Sequence, residues 1–125
     1  MVGVYTYHQG TGELERNGLI LGTGFSGRDA GYNNPAMEDE HDVGPIPRGP
    51  WTIGPAQTHG ELGTVVMALT PEGPAPYGRT GFYMHGWAVD PAKKAESSHG
   101  CICMARSIRI GIAAHLDEDN QLEVV

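Results

Sequence analysis

The chain has 125 residues, which leaves room for one domain. Its 15 acidic and 8 basic residues give a net charge of -7, so no basic stripe is available to neutralise phosphates and nucleic acid is excluded as a partner. No apolar run approaches the ~20 residues of a membrane helix, so no membrane insertion is expected. The 19 Gly and 9 Pro predict a loop-rich chain, and 5 Tyr, 2 Trp and 5 Met supply bulk for a thin ordered core. Together these features predict a mainly β domain.

Turn signals are closely spaced along the chain, as a strand meander requires. Val2–His8 is rich in strand formers and ends at Gln9-Gly10-Thr11-Gly12. Glu13–Arg16 and Leu19–Thr23 flank Asn17-Gly18, a two-residue hairpin signal because both turn positions need positive φ. From Gly24 to Gly49 no period holds, a stretch long enough to be functional or disordered. Tyr32, Pro35, Met37 and Pro45-Ile46-Pro47 favour a loop folded down on the core, with Glu38-Asp39-Glu40 as its solvated face. Further strands are expected at Trp51–Gly54, Thr64–Leu69, Gly81–His85 and Gly100–Met104. Ser107 is placed to cap a helix whose apolar positions, Ile108, Ile112 and Leu116, recur at i, i+4 and i+8. Asp117–Asn120 ends that helix, and Gln121–Val125 adds a last strand.

The chemistry concentrates in Phe82-Tyr83-Met84-His85-Gly86-Trp87 and Ser97-Ser98-His99-Gly100-Cys101-Ile102-Cys103. Cys101 and Cys103 are one residue apart, too close for an unstrained bridge, so both are expected as free thiols. A cysteine attacks as its thiolate, and a neighbouring imidazole is the usual means of generating one near neutral pH. His85 precedes Cys101 by 16 residues, so adjacent strands could bring base and nucleophile to one end of a sheet. Gly86 and Gly100 flank the pair, where missing side chains would let a substrate backbone approach. Backbone N–H groups beside Cys101 would then stabilise a tetrahedral oxyanion.

Ser98-His99-Gly100-Cys101, preceded by His85-Gly86 at a strand end, resembles the active-site signature of L,D-transpeptidases. Asn33-Asn34-Pro35, the run from Gly44 to Gly54, and Gly78-Arg79-Thr80-Gly81-Phe82 are similar to its Tlde-type branch, as is the pattern Tyr7, Thr11, Gly12 and Leu14. That branch comprises small L,D-transpeptidase-like toxins delivered by type VI secretion. The resemblance implies a single-domain L,D-transpeptidase-like β-sandwich or barrel over residues 1–125, with long loops and one short C-terminal helix. It implies Cys101 as nucleophile and His85 as base, with Ser98 and His99 as further catalytic groups. The substrate would be a peptidoglycan stem peptide, cleaved before its terminal D-alanine or exchanged with a D-amino acid, without cofactor or metal. Broader members carry Arg or Asn where this chain has Cys103, so Arg79 and Arg106 are candidates for the substrate carboxylate, with Tyr83 lining the site. Cys103 itself is expected to be structural.

The N-terminal MVGVYTYHQGTGE holds neither a basic nor an apolar signal region. The resemblance therefore implies synthesis in the cytoplasm, delivery to a target cell's periplasm by the secretion machinery, and a cognate immunity protein. Rival readings are a phage or prophage wall enzyme, a non-catalytic wall-binding module, and a zinc site formed by His85, His99, Cys101 and Cys103.

Overall fold

The computed structural model describes residues 4–87, 98–117 and 119–125. Its nine strands form one mainly antiparallel sheet: β1 (Val4–Tyr7), β2 (Glu13–Arg16), β3 (Leu19–Thr23), β4 (Phe25–Ser26), β5 (Gly49–His59), β6 (Gly63–Pro71), β7 (Phe82–His85), β8 (Ile102–Cys103) and β9 (Gln121–Val124). They lie in the order β3-β2-β1-β9-β5-β6-β7-β8-β4, with β1–β9 and β7–β8 parallel. The expected last strand is thus central, inserted between β1 and β5.

This order forces the sheet to curl. β3 and β4 are separated in sequence by Gly24 alone, yet they occupy opposite ends of the sheet. The two edges must therefore meet at Gly24, whose N–H donates to the Gly12 carbonyl at 2.8 Å. A Cβ at Gly24 would fall 2.0 Å from the Cys103 carbonyl oxygen, so only glycine passes this crossing. Alternate residues of the curled strands face inward. Tyr5, Tyr7, Leu14, Trp51, Ile53, Met67, Met84, Ile102, Leu122 and Val124 form one core with Ile46 and Met104. Burying each large side chain contributes about 1.5–3 kcal/mol.

Local chemistry explains both the agreements and the departures. Asn17 and Gly18 take φ of 50° and 85°, as the hairpin turn demands. β5 and β6 run further than expected and join at a tight hairpin from His59 to Gly63. Gly54-Pro55, which reads as a strand end, instead sits where the register shifts between Ile53 and Ala56. Proline lacks an N–H, and a bulge tolerates that loss. A second register shift, between Gln57 and His59, places Val65 at φ 54°.

Helix α1 spans Arg106–Ala113. It is shorter than expected, and its N-cap is Ala105 rather than Ser107, which lies inside the first turn without capping it. Ile112 is buried against the core, with Ile108 and Leu116 packed partly beside it. Val2 and Glu118, at the expected ends of a strand and the helix turn, lie outside the described residues.

The long loop is folded down, and the cause is a carboxylate. Glu38 is not part of a solvated face: it is 9% exposed and accepts from Gln9 Nε2 (2.9 Å), Tyr77 Oη (2.6 Å) and the Arg48 Nε and Nη2 groups (3.1 Å each). Burial alone would raise its pKa, but these donors outweigh burial and hold the carboxyl at about 2. A depressed carboxyl stabilises the fold above its unfolded pKa of about 4.5 and loses that contribution as pH falls toward 2. Discounted for the half-exposed Arg48, the contribution is roughly 2 kcal/mol. Glu38→Gln should therefore lower the neutral-pH melting temperature and flatten the wild-type loss of stability between about pH 5 and 3. Thermal melts across that range check it; an unchanged acid slope would remove Glu38 from this role.

Candidate active site

The turn that carries Cys101 is built by one hydroxyl. Ser98 is fully buried, and its Oγ accepts from Gly27 N–H at 2.9 Å and Gly100 N–H at 3.1 Å while donating to the Cys101 carbonyl at 2.5 Å. A second serine reinforces it: Ser26 Oγ donates to the Gly100 carbonyl at 2.9 Å and accepts from Ile46 N–H at 2.8 Å. The Ser98-to-Cys101 turn is thereby tied to β4 and to the long loop. Gly100 takes φ 129°, and a Cβ there would lie 2.5 Å from Arg79 Nη2 and 3.0 Å from Phe82. The space freed at Gly100 is thus filled by the protein itself rather than left for substrate. Its N–H is engaged by Ser98, so it holds the turn.

Cys101 opens into a cleft of about 200 Å³ between the 41–42 and 78–82 segments, with His99 on its rim. The thiol meets two backbone groups: it accepts from Tyr83 N–H at 3.3 Å and donates to the Gly81 carbonyl at 3.7 Å. Burial raises its pKa, and the Tyr83 N–H and the Arg79 charge pull it part of the way back. Cys101 therefore rests as a thiol with one N–H donor already on its sulfur.

His85 ends β7, in register with Cys103 across the parallel β7–β8 ladder. Its Nδ1 lies 2.5 Å from the Gly86 carbonyl oxygen, which only accepts, so Nδ1 carries the proton and Nε2 the free lone pair. The sulfur within hydrogen-bond reach of Nδ1 is Cys103 Sγ, at 3.9 Å; Cys101 lies two residues earlier on the same segment and is not bonded to the ring. Burial lowers the His85 pKa below the ordinary 6.5. The Gly86 carbonyl opposes that shift, while Arg109, His59 and His99 add to it. Both partners thus rest neutral, which suits a general base acting during attack rather than a preformed ion pair.

The remaining expected residues fall into distinct places. His99 is exposed at the cleft, its Nε2 3.5 Å from Arg28 Nη1. Arg79 reaches the cleft wall but is only 3% exposed. Its Nη1 donates to the Glu38 and Pro45 carbonyls at 2.6 and 2.8 Å, and its Nη2 to Gly44 and His99 carbonyls at 3.0 and 3.4 Å. Those donors brace the loop and are spent before any substrate carboxylate arrives. Tyr83 packs its ring edgewise on His59, with centroids 5.2 Å apart. Arg106 is exposed on the first turn of α1, outside the cleft lining. Cys103 is fully buried, and burial pushes its thiol pKa far up. Among the described residues no three His, Cys, Asp or Glu side chains converge as a metal would need. Sequence reasoning passed over Arg28 and the buried Arg109, since a lone arginine in a loop or helix carries no signal of where it points.

The curled, mainly antiparallel sheet is the fold of L,D-transpeptidase catalytic domains. The structure is similar to that of an Enterococcus faecium L,D-transpeptidase mutant, with a TM-score of 0.63 at 14% identity, covering 100% of this chain and 50% of that one. It is also similar to Mycobacterium tuberculosis L,D-transpeptidase 1, with a TM-score of 0.51 at 17% identity over 99% of this chain and 62% of that one. A further match is the catalytic domain of an E. faecium L,D-transpeptidase acylated by ertapenem, with a TM-score of 0.50, 16% identity, and 99% and 97% coverage. The chain thus spans half to three-fifths of the two longer enzymes. Within that class, the Tlde1 domain family model matches residues 22–125, and the chain belongs to that family. No curated protein matches the sequence.

Removing the Ser98 hydroxyl leaves two N–H groups and a carbonyl without their partner, at about 1–3 kcal/mol for each buried group left unpaired. Ser98→Ala should therefore lower the melting temperature by several degrees and slow alkylation of Cys101 while leaving the thiol present. Calorimetry with site-resolved thiol labelling measures both; a wild-type melt and labelling rate would show that the turn holds without Ser98.

Proposed function

We propose that the protein is a cysteine-dependent enzyme of peptidoglycan stem tetrapeptides, cleaving the L,D bond before the terminal D-alanine. The observation that carries this reading is the Cys101 thiol, open to a cleft on a turn held rigid by Ser98, with a neutral imidazole two residues along the paired strand. Membership of the Tlde1 domain family and the L,D-transpeptidase fold support the substrate class.

His85 Nε2 takes the thiol proton as Cys101 Sγ attacks the carbonyl of the third stem residue. The tetrahedral oxyanion collapses, the C–N bond to D-alanine breaks, and His85 returns its proton to the leaving amine. A thioester then remains on Cys101. Water, deprotonated by the same imidazole, releases the tripeptide acid; a free D-amino acid attacking instead completes an exchange. The Tyr83 N–H, which already donates to the sulfur, stabilises the thiolate as it forms and again as it leaves. Splitting one hard amide cleavage into two acyl transfers is what the nucleophile contributes.

Delivery by type VI secretion into a target periplasm, with a cognate immunity protein, belongs to the same proposal and rests on the sequence resemblance to the Tlde-type branch. Periplasm-directed expression should be toxic and cytoplasmic expression harmless. Equal toxicity from both would place the target in the cytoplasm and overturn the wall substrate.

Incubating the protein with purified tetrapeptide muropeptides, with and without a free D-amino acid, tests the chemistry directly. Mass spectrometry should show loss of D-alanine, and substrate unchanged in both reactions would overturn the proposal. Cys101→Ala should abolish turnover with the fold kept, whereas Cys103→Ser should stay largely active. His85→Ala should slow acylation by roughly 10²–10⁴-fold, a loss that narrows as pH rises toward the thiol's own pKa. Because the His85 pKa is lowered, and the base form is the active one, the wild-type acid limb should have its midpoint below 6.5. A midpoint above 6.5 would exclude His85 as the titrating group.

A further inference from the structure

Arg109 lies on α1, 6% exposed, and its donors all turn inward. Nε donates to the Met104 carbonyl at 3.0 Å, and Nη1 donates to the Thr64 and Val65 carbonyls at 2.9 Å each. Met104 N–H in turn donates to the His85 carbonyl at 2.8 Å, so one peptide residue links the guanidinium to the histidine backbone. Nη2 lies against Gly86, 2.9 Å from where a Cβ would stand. The same cation therefore ties the β6 bulge at Val65 to the segment after β8 and lies against the strand end at His85-Gly86. A buried arginine costs desolvation that a solvent-facing helix would avoid. Its partners among the described residues are the carbonyls of Met104, Thr64 and Val65, at the bulge and after the end of β8.

We propose that Arg109 is the positioning residue of the general base: it holds the strand end at His85-Gly86 against β6 and β8 and so fixes where the imidazole stands. The assignment rests on His85 acting on Cys101. Among the described residues, the groups facing His85 are Cys103 on β8, His59 at the β5–β6 hairpin, His99 on the Cys101 turn and Arg109 on α1. Arg109 carries a permanent charge, which opposes protonation of the ring. Sequence spacing supports the inward placement, since Arg109 stands three residues before the buried Ile112 on the same helix face.

Two variants perturb this contact by different routes. Arg109→Lys keeps the charge but loses the fork that spans three carbonyls. Gly86→Ala keeps the arginine and pushes its Nη2 end aside; Gly86 has an ordinary φ, and the clash is with the end of a flexible side chain, so the fold is retained. The readout is the pH dependence of Cys101 alkylation by iodoacetamide, located by peptide mass spectrometry, which needs no muropeptide substrate. His85→Ala serves as control: if it leaves Cys101 alkylation unchanged, the base assignment fails before Arg109 is reached. If His85 matters, Gly86→Ala should move the acid limb up by about 0.5–1 pH unit and slow neutral-pH alkylation about threefold to tenfold. Arg109→Lys should keep the limb near its wild-type position while lowering the rate. An acid limb and rate matching wild type in folded Gly86→Ala would overturn the proposal, whatever the lysine variant does. Muropeptide turnover failing in the wild type, with these alkylation shifts intact, would instead overturn the substrate reading alone.

Discussion

The buried Arg79 guanidinium is the contact on which the cleft depends. Four backbone carbonyls, of Glu38, Gly44, Pro45 and His99, take its Nη hydrogens. Burial lowers its pKa, and the nearby Asp42 and Asp39 charges act against that shift. By joining the long loop to the nucleophile turn, it gives the cleft two walls at fixed separation. Its face also lies 5.1 Å from the Phe82 ring centroid, so packing and charge share one position. Gly100 is the counterpart of this contact, because any side chain there would displace the guanidinium.

The site divides its polar groups between holding and reacting. Ser98, Ser26, Arg79 and Arg109 spend their hydrogen bonds on backbone groups, which removes the freedom of three segments that share no long strand. Cys101 and His85 are left with few constraints: one N–H and one carbonyl at the Cys101 sulfur, one carbonyl and the Cys103 sulfur at the ring. Burial keeps both uncharged at rest, raising the thiol's pKa and lowering the imidazole's. Cys103 occupies the core side of the same strand and gives His85 an apolar, polarisable neighbour.

The loop from 27 to 48 shows how a chain poor in aliphatic residues keeps an ordered surface. Its backbone is satisfied by side chains rather than by ladders: Asn33 Oδ1 accepts from Ser26 N–H at 3.1 Å, and Asn34 Oδ1 from Ala36 N–H at 3.1 Å. Glu38 gathers three different partners beneath it, and Ile46 anchors its end in the core. The Phe25 ring stacks between Tyr32 and Trp87, closing the loop against β4.

Features set by near neighbours in the chain were readable from sequence alone. The Asn17-Gly18 hairpin follows from positive φ, the inward Leu122 and Val124 from strand alternation, and the Ser-His-Gly-Cys segment from its residue types. What needed the tertiary structure was every long-range placement. Gly54-Pro55 reads as a strand end and becomes a bulge because β6 continues beside it. Glu38 reads as surface and becomes a hub because Gln9, Arg48 and Tyr77 converge on it from three parts of the chain. Arg79 reads as a substrate contact and Arg109 as nothing in particular, yet both are turned inward by carbonyls on segments distant in sequence. Residue type and local spacing determine which groups could react; the curl of the sheet, closing at Gly24, decides which of them meet. The reason is physical: φ preferences and alternation act over a few residues, whereas a buried charge finds its partners only when the whole chain has closed around it.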